Sequence, residues 1–316
     1  MDTLSRLIDL ARPQASLDLR CLLSGAFDID HGPEAAGIAP FHVVLDGACV
    51  VETADGAQRA LRAGDFMLFP RGAAHRVRDM QRSAATAPLT QDHDGMLPLR
   101  RNDGHDGARI PADLDLLCGR FVYSPGSSAL LLNALPDPFH VSLGGMETLD
   151  SLQTVIRLMR SEAERRQAGA LAIVTALSHA LLAMALRAHG EQNASASGVL
   201  ALLADARLGA SVQGMLRAPE RAWTIAELGK LAAMSRATYA RHFNERAGMT
   251  VMDFLTQIRM TIACDLLRRT QRSAAEIGEA VGYQSEAAFG KAFQQSVGVP
   301  PGRYRRRPQE SDLTEN

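Results

Sequence analysis

Aromatic residues are scarce, at 5% of the 316 residues with a single tryptophan. Cysteine is scarcer, four in the whole chain and no two spaced C-x-x-C, which excludes a disulfide-stapled scaffold and argues against a zinc ribbon. Neither sign of charge dominates: 34 Lys and Arg stand against 35 Asp and Glu. With 46% apolar and 22% charged residues, wholesale disorder, collagen and low-complexity fibre are excluded. The opening MDTLSRLIDLARP lacks an apolar core followed by a small-residue cleavage site, so no signal peptide is expected. One stretch, residues 168–188, is apolar enough for a membrane span. It contains Ser178 and His179, however, and draws half of its apolar count from alanine, which adds little to insertion. A buried or interface helix is expected there, in a soluble cytoplasmic protein with no membrane partner.

What is present is organised in two halves. The length suits about two domains. Between Glu220 and Arg307 there are 14 basic and 8 acidic residues, so a module of net +6 is joined to a remainder of net −7. Such asymmetry points to a polyanionic partner at one end. Residues 1–79 are rich in short strand signals, with Asp46-Gly47, Asp55-Gly56, Gly64-Asp65 and Pro70-Arg71-Gly72 as turns. Residues 80–109 read as a long polar loop whose His93 and His105 have no ligand spacing, and 113–123 return to strand. From Glu147 the period becomes helical, with Leu149, Leu152, Val155, Ile156 and Met159 on one stripe. A second helix is expected over 168–188 and a polar break over 189–198.

The C-terminal part repeats a pattern. In WTIAELGKLAAMSRATYARHFNERAG, Thr224 with Glu227 makes a capping box, a break falls at Met234-Ser235, and Ser235 caps a second helix. Tyr239 and Phe243 would pack the pair, leaving Arg236, Thr238 and Arg241 exposed. The pattern recurs in SAAEIGEAVGYQSEAAFGKAFQQSVG, with a Gly282-Tyr283 break, a Ser285 cap, Phe289 and Phe293 inside and Lys291 outside. This is a duplicated helix-turn-helix, whose second helices suit the major groove of duplex DNA.

The stretches Trp223 to Phe243, Ile277 to Ser285, Phe289-x3-Phe293 and Gly298-Val-Pro-Pro-Gly-Arg-Tyr-Arg305 resemble the AraC/XylS family of transcription regulators. That resemblance implies a double-stranded DNA operator and RNA polymerase as partners and activation of transcription. It puts Ala237 and Arg241 of the first unit at base-facing positions, and Glu286, Ala287 and Lys291 of the second. The whole proposed DNA-binding set is Arg236, Ala237, Thr238, Arg241, Ser285, Glu286, Ala287 and Lys291.

The N-terminal half carries Gly64-x5-Pro70-x-Gly72-x2-His75, which fits the second cupin motif, with Asp79 where Asn is usual. The first motif is damaged: His42 is present, Val44 replaces the second histidine, and Cys49 stands where glutamate is expected. A divalent metal would have His42, Cys49 and His75 as ligands; the alternative is a ligand-free or small-molecule barrel whose histidines are core residues. The resemblance is to the cupin domain in front of some AraC-type regulators. The run from Met1 through Cys21 to His31-Gly32 is similar to the reactive-chlorine-responsive branch, which implies Cys21, beside Arg20, as an oxidation-sensing thiol. Cys49 and Cys118 are possible resolving partners, and Cys264 is read as an apolar filler.

The expected fold is therefore α+β. A cupin-like β-barrel sensor covers 1–145 and a helical dimerisation region and linker 146–198. An all-α domain with two helix-turn-helix units covers 199–308, and a disordered tail 309–316. The expected function is a homodimeric DNA-binding regulator whose cupin senses an oxidant or small-molecule effector. A metal-dependent cupin enzyme with a helical accessory domain is the alternative.

Overall fold

The computed structural model describes residues 2–81, 88–93, 97–102, 112–124, 126, 130–132, 134–142, 149–165, 167–192 and 198–306. His105, Glu147, the side chains of His93, Leu149 and Leu152, and the expected tail at 309–316 lie outside the description. The chain forms two compact units: a barrel unit of Pro13–Val122 and Leu135–Ala188, and a helical unit of Met1–Arg12, Tyr123–Ala134 and His189–Asn316.

The helical unit begins with a helix that the sequence reading left out, α1 (Thr3–Ala11), capped by Asp2, whose carboxylate accepts from Ser5 N–H. Its Leu7 and Leu10 are buried in the core that also holds Trp223, Tyr239 and Phe243. This burial is why the N-terminal residues group with the C-terminal helices and not with the barrel, where the sequence expectation had put them.

Among the described residues the barrel unit contains ten strands. These are β1 (Gln14–Leu23), β2 (Asp28–His31), β3 (Ile38–Thr53), β4 (Gln58–Arg62), β5 (Phe66–Leu68), β6 (His75–Arg78), β7 (Thr90–His93), β8 (Pro98–Arg101), β9 (Leu114–Val122) and β10 (Phe139–Val141). The main sheet runs β10-β5-β3-β9-β1-β8-β7, while β2, β6 and β4 pair around the other half of β3. The curl depends on β3, which pairs β5 and β9 through its first half and β4 and β6 through its second.

Asp46-Gly47, expected as a turn, is instead the bend inside β3, where the register with β9 shifts between Val44 and Asp46. Gly47 has φ +82°, and a Cβ there would sit 1.9 Å from the Asp113 carbonyl oxygen. A β-bulge of this kind turns a strand from one sheet into the other. The expected polar loop also holds the β7–β8 hairpin, because Leu97 and Leu99 are buried and β8 adds to β1 in parallel.

Alternation along the strands fills the inside with Leu23, Phe27, Val44, Val51, Met67, Phe69 and Leu116, with Cys21, Cys49 and Cys118 among them. The opposite face carries Phe41, Phe66, Phe121 and Phe139, all fully buried. Two helices complete the unit, α2 (Leu149–Arg165) and α3 (Ala170–Gln192), the latter continuing into the helical unit. His179 of α3 reaches Phe121 at 6.0 Å and the Pro13 carbonyl at 2.7 Å. Arg160 of α2 bonds Asp46 at 2.9 Å. The helix expected to stop at Ala188 runs on to Gln192, into the stretch read as a break.

The remaining helices are α4 (Val199–Ala204), α5 (Gly209–Arg217), α6 (Ile225–Leu231), α7 (Arg236–Ala247), α8 (Val251–Arg269), α9 (Ala274–Ala280), α10 (Glu286–Val297) and α11 (Pro301–Arg305). Two cores are strung on α8. Its Val251, Phe254, Leu255 and Ile258 enter the first, and its Met260, Ala263, Cys264 and Leu267 enter the second with Phe289, Phe293 and Tyr304. At 1.5 Å per residue its 19 residues span about 28 Å.

Candidate nucleic-acid interface and buried histidine–thiol cluster

Each half of the helical unit is built the same way. Thr224 and Glu227 form a reciprocal capping box at the start of α6, and Ser273 with Glu276 repeats it at α9. The Thr224 hydroxyl and backbone hold the Glu227 carboxyl down to about 2. A tight break follows, then a helix capped by Ser235 accepting from Thr238 N–H, or by Ser285 accepting from Ala288 N–H. Tyr239 and Phe243 are buried in one helix, Phe289 and Phe293 in the other. Gly248 and Gly298 end them in left-handed conformation. From Ser235 to Gly248 each of these positions has its counterpart fifty residues on. The breaks differ in two respects: the second is one residue longer, and its left-handed residue is Gly282 where the first has Ala233, at φ 53°.

The outward faces are open. Arg236, Ala237, Thr238 and Arg241 are exposed on α7, and Glu286, Ala287 and Lys291 on α10. Among the described residues, the ion-pair partner of Arg241 is Glu245, 3.9 Å away on the same exposed face. The recognition-type helices are fixed from behind. Asp205 accepts from His242 Nε2 at 2.8 Å and lies 3.2 Å from Arg246, which ties α7 to the α4–α5 connection. The Tyr239 hydroxyl donates to Ser211 at 3.0 Å. Arg259 of α8 donates to the Pro219 and Arg221 carbonyls at 2.8 and 3.0 Å and stacks over Tyr283 at 5.9 Å. It thereby joins the loop before the first helix-turn-helix to the break of the second.

Inside the barrel the titratable side chains converge. His42 Nε2 is 2.7 Å from His75 Nε2, and His42 Nδ1 is 3.2 Å from Cys118 Sγ. The His75 ring is stacked between Phe69, with centroids 3.7 Å apart, and His31, at 4.7 Å. One ring nitrogen from each of His31, His42 and His75 lies within 4.8 Å of the others. Burial, with His75 and Arg100 adding repulsion, pushes His31 down to about 4. Burial, His31 and His75 push His42 well below the usual imidazole value, and burial lowers His75 against the opposing Ala73 carbonyl. The cluster is therefore neutral at physiological pH. Beyond Cys118, a thiol hydrogen bond reaches Cys21; that bond, with Arg100 assisting, holds Cys21 below the usual thiol value against burial. Burial and its neighbours push Cys49 up to about 12. At the barrel wall, Arg20 makes two hydrogen bonds to Asp115, at 2.9 and 2.7 Å.

Comparison with known proteins accounts for both halves. A cupin family model matches residues 2–191 and a helix-turn-helix domain model residues 228–307. An uncharacterised HTH-type transcriptional regulator of Haemophilus influenzae is 33% identical over 306 residues, 97% of this chain and 99% of its own. The HTH-type transcriptional regulator MtrA of Neisseria gonorrhoeae is also 33% identical, covering 97% of this chain and 98% of its own. This chain belongs to the AraC family of transcription regulators. It is a DNA-binding regulator with a cupin half in front. The RCS-specific HTH-type transcriptional activator RclR of Escherichia coli is 29% identical over 97% of this chain and 98% of its own.

For an AraC-family regulator, the residues named from sequence fall partly on the exposed helices and partly inside the two units. Arg236, Ala237, Thr238, Arg241, Glu286, Ala287 and Lys291 share the exposed faces of α7 and α10. Ser285 is the cap of α10, its hydroxyl engaged by Ala288 N–H, so its first role is structural. His42 and His75 come together, but Cys49 is not in their group; the third member is His31. Cys49 lies on β3 opposite Leu61, sealed in the apolar core. Cys264 is buried on α8, as an apolar filler would be. Sequence reasoning missed His31 as a cluster member and Asn244, Gln294 and Gln295 as exposed polar groups. The last three were within reach, since Asn244 and Gln294 lie one turn beyond Arg241 and Lys291.

Proposed function

We propose that this regulator is a cytoplasmic activator that reads its operator with α7 and α10, dimerises through α3 and takes its signal at Cys21. The observation that carries the DNA reading is the fifty-residue repeat: two helices with the same caps, the same buried aromatic pair and a cation at the same exposed position. Arg241 suits a guanine edge, Ala237 and Ala287 a thymine methyl, and Lys291 a phosphate or a guanine. Arg241→Ala is expected to weaken operator binding by about 1–3 kcal/mol while random DNA loses less. Fluorescence anisotropy on both duplexes checks this, and equal losses would reduce Arg241 to a phosphate contact.

The dimer reading rests on α3, which is long and apolar enough to cross a membrane yet only 39% buried along its most apolar window. Leu171 and Ile173 are 43% and 41% exposed, and Leu158 of α2 is 43% exposed. Apolar surface of this kind suits a two-fold contact that delivers two DNA-binding units to paired sites. Light scattering is expected to give a dimer for the parent and a monomer for Ile173→Glu; a parent that stays monomeric on DNA would refute it.

The signal reading rests on the Cys21–Cys118 thiol pair. An oxidant delivering oxygen or chlorine to the Cys21 thiolate leaves a sulfenic acid or sulfenyl chloride. Attack by Cys118 sulfur then expels water or chloride and closes a disulfide. Cys21 lies on β1 and Cys118 on β9, paired strands that continue in sequence as α1 and as Tyr123–Ala134 of the helical unit. A crosslink between them strains the two strands that lead out of the barrel, and an activator so altered would recruit RNA polymerase differently. The naming of one relative as an RCS-specific activator supports the same class of signal. Cys21→Ser is expected to abolish induction of a reporter by hypochlorite; induction equal to the parent's would leave Cys21 structural. We read the barrel as a sensor rather than a catalyst, because Val44 and Cys49 stand where the motif has a histidine and a glutamate.

A further inference from the structure

The two cores of the helical unit meet at one side chain of α8. Ile258 enters the first core and Met260 the second, so Arg259 leaves the helix between them. Its Nε donates to the Pro219 carbonyl at 2.8 Å and its Nη2 to the Arg221 carbonyl at 3.0 Å, while the guanidinium lies over the Tyr283 ring. We propose that Arg259 is a positioning residue that fixes α10 relative to α7. It thereby sets the number of base pairs the protein accepts between the two stretches these helices read. The proposal rests on the reading that both helices enter the major groove.

Both ends of this bridge are anchored. On the first side, residues 218–223 run into Thr224, the cap of α6. Trp223 is buried in the first core, its indole N–H donates to the Ala218 carbonyl at 2.9 Å, and the Arg221 guanidinium lies 4.2 Å over its ring. The carbonyls that accept from Arg259 are therefore held to the first helix-turn-helix. On the second side, Tyr283 packs on Phe289 of α10 with centroids 5.8 Å apart, and Ser285, the cap of α10, follows directly in the same break. Between the anchors the two halves approach closely. A Cβ on Gly282 would fall 2.6 Å from the Glu220 carbonyl oxygen and 2.9 Å from Arg259 Nη2. Gly282 also has φ +89°, a conformation that glycine adopts without steric cost. A guanidinium suits this junction, because its planar fork meets two carbonyls at once and its flat face covers a ring; an ammonium does neither.

The test uses the full-length protein and an operator that it selects from a pool of random duplexes. One base pair is inserted or removed between the two protected stretches, and affinity is measured on each duplex. One inserted pair moves a stretch by about 3.4 Å and turns it by about 34°, so the parent should lose the base contacts of one helix and bind about 10–100-fold more weakly. Arg259→Ala and Arg259→Lys should each bind the altered spacings within about threefold of the native one. Lysine keeps the charge, so the shared effect separates the fork from simple attraction to phosphate. Thermal melts establish that each variant is folded, and Tyr283→Leu, which leaves Arg259 in place and removes the ring beneath it, should relax the ratio in the same direction. Folded variants whose ratio between spacings equals the parent's would overturn the proposal, however far their affinity falls. A parent that itself ignores the spacing would overturn the two-groove reading and the proposal with it.

Discussion

Asp115→Ala is expected to lower the stability of the barrel unit by about 3–5 kcal/mol, the usual cost of removing one partner of a buried ion pair. The two side chains are almost sealed, with Arg20 7% and Asp115 4% exposed, and the pairing is bidentate. Removing the carboxylate leaves the guanidinium facing Glu164, 3.5 Å away on a half-exposed side chain of α2. It also strips Arg160 of a contact at 3.5 Å and so loosens α2 from the strands. The residue next to Arg20 is Cys21, so the same substitution should change the rate at which that thiol reacts. Urea unfolding at pH 7.5 measures the loss, and a change below about 1 kcal/mol would contradict the ion-pair account.

The histidine cluster should make the barrel acid-sensitive over a defined window. His31 has its ordinary value of 6.5 in the unfolded chain and about 4 in the folded one. Above pH 6.5 both states are neutral there and stability is unaffected. As pH falls below 6.5 the unfolded chain takes up the proton and the native barrel does not, so stability declines, and the decline levels off only below pH 4, where the native imidazole is protonated too. At 1.36 kcal/mol per unit this amounts to about 2 kcal/mol at pH 5 and about 3 kcal/mol at pH 4. His42 and His75, lowered in the same direction, add to the loss. Unfolding curves at pH 7.5 and 5 should therefore differ less for His31→Gln than for the parent. An unchanged pH dependence in His31→Gln would show that the imidazole titrates freely in the folded state.

The helix-turn-helix halves were legible because their determinants are local. A cap, an acidic residue three positions on, a break and two aromatics four apart all fall within about 25 residues, and duplication made chance an inadequate explanation. The cupin turns Gly64 to His75 were legible for the same reason. What was lost depends on partners far away in sequence. His31 joins the cluster through its pairing with His75, 44 residues on, and no spacing rule encodes that register. Asp46-Gly47 has the composition of a turn, but the backbone of Asp113 presses on Gly47 and makes it a bulge within one long strand. Cys49 matched a ligand position by spacing, yet that same bulge sends the second half of β3 to another sheet, where Cys49 meets Leu61. Helix α1 has few residues and gains its stability from Leu7 and Leu10 entering a core assembled by helices 200 residues later.

The central claim is that one chain reads two successive stretches of major groove. A hydroxyl-radical and guanine-methylation footprint of the intact protein on its operator tests this directly. The account predicts two protected major-groove segments per chain on one face of the duplex, about 34 Å apart. Arg241→Ala should lift protection from one and Lys291→Ala from the other. A single protected segment per chain, or two segments that both persist in either variant, would contradict it.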